Sequence, residues 1–139
     1  MPEDRAQPDG RKISLRIAVV PSIKRQSEPD PLFLLVGGPG QAATEAGASI
    51  AALLSDVRSR RDIVLVDQRG TGGSNPLECS DKDEASDELR MPSLLPTGEF
   101  ESCVEELEAD PRHYTTPEAT KDLDQVRQAL GYEQINIWG

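Results

Sequence analysis

The sequence predicts an α/β fold in which a mostly parallel sheet is flanked by helices. Three observations predict it. Leu32 to Val36, within PLFLLVGGPG, is an unbroken apolar run with the length and composition of a strand buried on both faces. Ile63 to Val66 is a second short, wholly apolar run, and the segment between the two has helical spacing. A right-handed βαβ crossover in a parallel sheet is the economical way to join them. A further helical segment then leads into a last apolar run, Ile135 to Trp138.

Taken in order, Met1 to Lys12 is polar, and Asp9-Gly10 marks a turn, so a loop or hairpin is expected there. In Ile13 to Val20 the residues Ile13, Leu15, Ile17 and Val19 alternate with smaller or polar ones, which predicts an edge or antiparallel strand with that set buried. Residues 21–30 form a polar linker, and Pro29 and Pro31 set the entry to the buried strand. After the glycine turn, Ala46, Ile50, Leu53 and Val57 fall at helical spacing and predict one amphipathic helix over about residues 44–58. Arg58, Arg60 and Arg61 suit the negative end of its dipole.

Residues 75–98 carry Pro76, Pro92 and Pro96 with many acids and little periodicity, which predicts an irregular surface excursion. Phe100, Cys103, Val104 and Leu107 mark a short helix stopped by Asp110-Pro111. Thr115-Thr116-Pro117 is a helix start, with Thr116 as cap or Thr115 boxed with Glu118. Ala119, Leu123, Val126 and Leu130 form the core face of that helix and Gly131 its stop. The last run is expected to be a third parallel strand. A strand of this kind needs cover on its open side, so residues 1–139 are expected to be a fragment.

Fifteen basic against twenty-five acidic residues give a formal charge of -10. Nucleic acids and anionic membranes need a positive footprint, so neither is an expected partner. No apolar run approaches the ~20 residues of a membrane span, and the polar start is not a signal peptide. The two cysteines, Cys79 and Cys103, and the single His113 lack the spacing of a zinc site, so no metal is expected. The two thiols stand either as packed cysteines or as a disulfide closing a loop of about two dozen residues.

Chemistry concentrates where strands end. Gly37, Gly38 and Gly40 bring bare backbone to the carboxyl end of the Leu32 strand, where N–H groups can approach an anion or a polarised oxygen. Two chemistries fit. Gly38, Gly40 and Ala43 satisfy the dinucleotide pattern GxGxxG/A, with Asp67 as the ribose acid. The same turn also suits an oxyanion hole for acyl transfer. A tight turn without a ligand is the plain alternative. DQRGTGGS, residues 67–74, is a second glycine-rich loop at a strand's carboxyl end, the edge where ligands collect in open α/β sheets. Ser74 lies in GGSNP, which lacks the second glycine of GxSxG, so a turn or capping role fits it.

The stretches PEDRAQPDG, LLVGGPGQ, VDQRGTGGSNPLEC and YTTPEATKDLDQVRQALGYEQINIWG follow one another over about residues 2–139. In that order they resemble the amino-terminal part of α/β-hydrolase serine peptidases of the prolyl aminopeptidase and tripeptidyl aminopeptidase group. The resemblance implies that residues 1–139 are the amino-terminal portion of a single α/β-hydrolase domain, part of a serine hydrolase that needs no cofactor and cleaves residues or short peptides from free amino termini. An esterase on the same fold is the near alternative, and a dinucleotide-binding module the distant one. It implies that Gly139 is the first glycine of the nucleophile elbow, with serine, acid and histidine all beyond it, so the chain as given is expected to be inactive.

By the same resemblance Gly38 supplies one oxyanion N–H, Gly37 and Gly40 shape the turn, and Pro39 stiffens it. Asp67, Gln68, Arg69 and Gly70 brace the floor of the site without moving protons. His113 precedes the serine and so falls outside the triad order. Many relatives have histidine where Val36 stands, which favours the tripeptidyl branch. Relatives often carry cysteines at corresponding places and are commonly exported. That implies a Cys79–Cys103 disulfide and a periplasmic or secreted protein whose signal lies upstream of Met1, with a cytoplasmic location as the alternative. The implied partner is a peptide or small ester substrate; oligomeric state is left open.

Overall fold

The computed structural model describes residues 1–38, 40–78 and 97–139. Strands β1 (Ile17–Val20), β2 (Leu32–Leu34), β3 (Ile63–Val66) and β4 (Asn136–Trp138) form one sheet in the order β1-β3-β2-β4. β2 runs parallel to both β3 and β4, while β1 runs antiparallel to β3 with Ile17 opposite Val66 and Val20 opposite Ile63. The interior strands β2 and β3 are buried at every residue, as continuous apolar runs flanked on both faces must be.

Helix α1 (Ala43–Leu53) is followed by the single turn α2 (Ser55–Arg58), then α3 (Thr97–Glu106), a 3-10 turn at Pro111–His113, and α4 (Thr116–Ala129). α1 covers the face of the sheet presenting Leu34, Ile63 and Leu65, where Ala43, Ile50 and Leu54 pack. α4 covers the other face, where Val126, Leu123, Tyr132 and Ile135 pack on Phe33, Val64 and Val66. The chain therefore leaves neighbouring strands β2 and β3 towards opposite faces. In open α/β sheets ligands collect at the carboxyl ends of strands that diverge in this way.

Several expectations are corrected. The single helix over 44–58 is broken at Leu54, whose backbone (φ -92°, ψ 30°) leaves the helical region. Leu53 faces outward at 75% exposure, and the face against the sheet carries Ala43, Gly47, Ile50 and Leu54 instead. A Cβ at Gly47 would stand 2.2 Å from Leu65 Cδ1, so the smallest residues sit where helix and strand approach most closely. The strand predicted from Ile13 begins only at Ile17, and Ile17 and Val19 are exposed while Ala18 and Val20 pack under α1. Ile13 and Leu15 do turn inward.

On α4 neither predicted side-chain cap forms. Thr115 is the N-cap by backbone and makes no side-chain capping bond, and Glu118 pairs with Arg5 and Lys121. Leu130 is half-exposed, and the deeply buried positions are Ala119, Asp122 and Val126. The C-terminal stop is as expected, with the N–H groups of Gly131 and Tyr132 donating to the carbonyls of Gln128 and Arg127. The amino-terminal segment folds back on itself through a Pro2–Lys12 bridge and the Glu3 N–H to Arg11 carbonyl bond.

Candidate active-site loops at the carboxyl end of the sheet

Three chain segments neighbour one another at the carboxyl end of the sheet: residues 35–42 after β2, residues 67–75 after β3, and Gly139 after β4. Position 139 lies against β2, since a Cβ there would come within 3.1 Å of the Leu35 Cβ and carbonyl oxygen. Leu35 in turn donates its N–H to the Trp138 carbonyl. The residue that leads into the glycine turn thus lies beside the end of β4. Gly37, Gly38 and Gly40 are exposed, and no acceptor among the described residues engages their N–H groups. Gly38 (φ 152°) and Gly40 (φ 87°) adopt backbone that an L side chain strains to reach. Pro39 lies outside the described residues.

Behind this turn sits a buried carboxylate. Asp67 directly follows β3 with no solvent exposure, and its carboxylate accepts three hydrogen bonds. Thr44 N–H donates to Oδ1 at 2.8 Å, Thr44 Oγ1 to Oδ2 at 2.9 Å, and Gly73 N–H to Oδ2 at 3.0 Å. Helix α1 has Ala42 at its N-cap and so no capping side chain of its own. Asp67 supplies the missing acceptor from a different strand, and its negative charge complements the helix dipole there. Gly72 (φ 48°) is needed for this approach, because a Cβ would stand 2.4 Å from Ala42 Cβ and 2.7 Å from Asp67 Oδ2.

This geometry overturns the dinucleotide alternative. A pyrophosphate would have to occupy the N-terminus of α1, where the Asp67 carboxylate already sits. Asp67 is equally unable to serve a ribose, since both its oxygens are engaged and shielded from solvent.

Arg69 braces a different junction. Its side chain is 1% exposed and forms a two-pronged pair with Asp122 of α4. Nη1 donates to the carbonyls of His113, at 2.6 Å, and Glu3, at 3.2 Å. Burial works against its charge, but the Asp122 pair outweighs that and holds the guanidinium above the usual arginine range. Arg5 adds a second cation, donating to Asp122 Oδ1 at 2.5 Å and Glu118 Oε2 at 2.8 Å. Tyr114 packs against Gly70, lies 6.0 Å from the Arg69 guanidinium, and donates its hydroxyl to Glu3 Oε1 at 2.8 Å. Burial first, then the Glu3 bond, pushes its phenol up to about 12.

Of the remaining predicted positions, Gln68 contributes only its carbonyl, which accepts from the Thr71 N–H and hydroxyl. Ser74 is fully buried, donates to the Asp67 carbonyl at 2.7 Å and accepts from Arg16 N–H at 2.9 Å, the turn-bracing role its surroundings indicate. His113 sits on the 3-10 turn with Nε2 3.6 Å from Asp110 and 3.9 Å from Asp4. No free cysteine occurs among the described residues, which include Cys103 on α3; Cys79 and most of the 75–98 excursion lie outside them. No cluster of metal-ligating side chains occurs among the described residues. Asp122, Thr44 and Glu3 were missed from sequence. Asp122 alone left a signal, an acid three residues after Ala119 and four before Val126, in the buried register of the helix.

The sequence model describing the alpha/beta hydrolase fold matches residues 30–139. The chain belongs to the alpha/beta hydrolase fold family. Among curated relatives, a tripeptidyl aminopeptidase of Streptomyces lividans is 29% identical over 155 aligned positions, covering 100% of this chain and 29% of the relative. A serine protease of Mycobacterium tuberculosis is 28% identical, covering 100% of this chain and 29% of that protein. The crystal structure of a proline iminopeptidase from Mycobacterium smegmatis aligns with a TM-score of 0.49 and 22% identity, over 90% of this chain and 31% of the other. This hydrolase-family chain therefore spans less than a third of the length of the curated relatives it matches.

Proposed function

We propose that this chain is the amino-terminal part of a serine exopeptidase that removes residues or short peptides from free peptide amino termini. The reading rests on the family, on relatives named as a tripeptidyl aminopeptidase and a serine protease, and on one observation of the site. That observation is that Leu35, which leads into exposed Gly37, Gly38 and Gly40, lies beside the end of β4 at Gly139, while no acceptor among the described residues engages those glycine N–H groups. A serine placed just after Gly139, on an elbow following β4, would present its hydroxyl beside those donors. It would attack the scissile carbonyl as a histidine took its proton, and the Gly38 N–H would stabilise the oxyanion before the amine left and an acyl-enzyme remained. Serine, acid and histidine on this reading all lie outside residues 1–139.

Branch and compartment are part of the same proposal. Val36 in place of histidine supports the tripeptidyl branch, and a Cys79–Cys103 disulfide would go with a periplasmic or secreted location. The test is to assay the full-length protein on chromogenic peptides with free and blocked amino termini and on a simple ester. Turnover of free-terminus peptides alone, with release of short peptides, is the expected result. Equal turnover of blocked peptides, or of the ester only, would overturn it.

A further inference from the structure

The glycine turn has two ends, and they are held in different ways. Its upstream end leaves β2, which is hydrogen-bonded to strands on both sides. Its downstream end enters α1 at Ala42, and the first hydrogen bond of that helix, from Ala46 N–H to the Ala42 carbonyl, is long at 3.4 Å. Ala42 and Ala43 are buried and set how deep the first turn lies. The polar anchor at this end is Thr44, which gives both its N–H and its hydroxyl to Asp67. Asp67 in turn follows β3 directly, is fixed to the residue that precedes β1 by its own N–H, bonded to the Arg16 carbonyl at 3.0 Å, and to the second loop by Gly73. Thr44 is therefore the point where the first helical turn, and with it the end of the glycine loop, is tied to the rigid edge of the sheet.

We propose that Thr44 is a positioning residue for acyl transfer: through its hydroxyl bond to Asp67 it sets where the Gly38 N–H points. This rests on the reading of residues 37–40 as an oxyanion loop. A displacement of the donor by a fraction of an ångström weakens its bond to a transition-state oxygen far more than it weakens peptide binding elsewhere, so the effect falls on kcat.

The experiment compares Thr44→Val, Thr44→Ser and Gly38→Val in the full-length protein, using a chromogenic peptide with a free amino terminus. Valine keeps the shape and the N–H bond but removes the hydroxyl donor; serine keeps the donor. Thr44→Val should lower kcat on the order of tenfold with KM within about twofold, and Thr44→Ser should restore most of it. Where thermal melting shows Thr44→Val to be unfolded, Thr44→Ala is measured in its place, with the same expectation. If Gly38→Val loses at least about a hundredfold in kcat while folded Thr44→Val or Thr44→Ala keeps it, the positioning role is wrong and the oxyanion reading stands. If Gly38→Val keeps its kcat, the oxyanion reading fails and the Thr44 proposal with it. Equal losses for Val and Ser would also overturn the proposal, because the effect would not follow the hydroxyl.

Discussion

Arg69 and Asp122 meet as a two-pronged ion pair, Nε to Oδ2 at 2.6 Å and Nη2 to Oδ1 at 2.7 Å, that bolts the loop after β3 to the first half of α4. Both side chains are almost wholly buried. Removing one partner leaves the other charge in a site with little water, which costs more than removing both. Asp122→Ala in the full-length protein should therefore lose about 3–5 kcal/mol in denaturant unfolding, and the apolar double replacement Arg69→Met with Asp122→Leu should lose less. A single variant milder than the double one would show that the pair does not carry the junction.

Tyr114 gives a pH signature to the same junction. Its phenol is moved from 10.0 up to about 12, so the folded protein holds that proton more tightly than the unfolded chain. The stability this contributes is whole below about pH 10 and is lost as the pH rises through about 12. Tyr114→Phe removes both the titration and the hydroxyl bond to Glu3, which contributes about 1 kcal/mol. Wild type should exceed the variant by that amount at pH 9 and the gap should narrow steadily above pH 10. Unfolding midpoints that stay parallel across the range would contradict the assignment.

The fold was legible where hydrophobicity runs without interruption. Strands β2 and β3 are apolar at every position and legible in the sequence, as are their parallel pairing and the antiparallel edge, although β2 ends at Leu34, two residues short of the expected Val36. Orientation was harder. Residues 17–20 read IAVV, apolar on both parities, so alternation did not determine which pair would face α1. In α1 the largest residues misled: the sheet accepts Ala43 and Gly47 because Leu65 fills the space, which turns Leu53 to solvent.

Of the site, the two glycine loops are legible because runs of glycine directly after an apolar strand mark a turn with bare backbone. Their linkage was not, because it depends on partners distant in sequence. Thr44 meets Asp67 across 23 residues, Arg69 meets Asp122 across 53, and Arg5 draws Glu118 away from a local capping box across 113. Local pattern carries no record of such competition.

The two cysteines test the compartment. A Cys79–Cys103 disulfide would hold the ends of a segment with little apolar content and contribute on the order of 3 kcal/mol. The native full-length protein should then resist alkylation at both residues until a reductant is added, and an experimental structure should put their Cα atoms within about 7 Å. Alkylation of both thiols without reductant would remove the argument for export.

On the proposed reading, residues 1–139 frame a serine nucleophile without containing it. The most direct test is to label the full-length protein with a fluorophosphonate and map the modified residue by peptide mass. One serine shortly after Gly139 should carry the label, with residues 1–139, Ser74 included, unmodified. Stoichiometric label on Ser74 or any other residue of this chain, or none anywhere in an enzyme that turns over peptide, would contradict it.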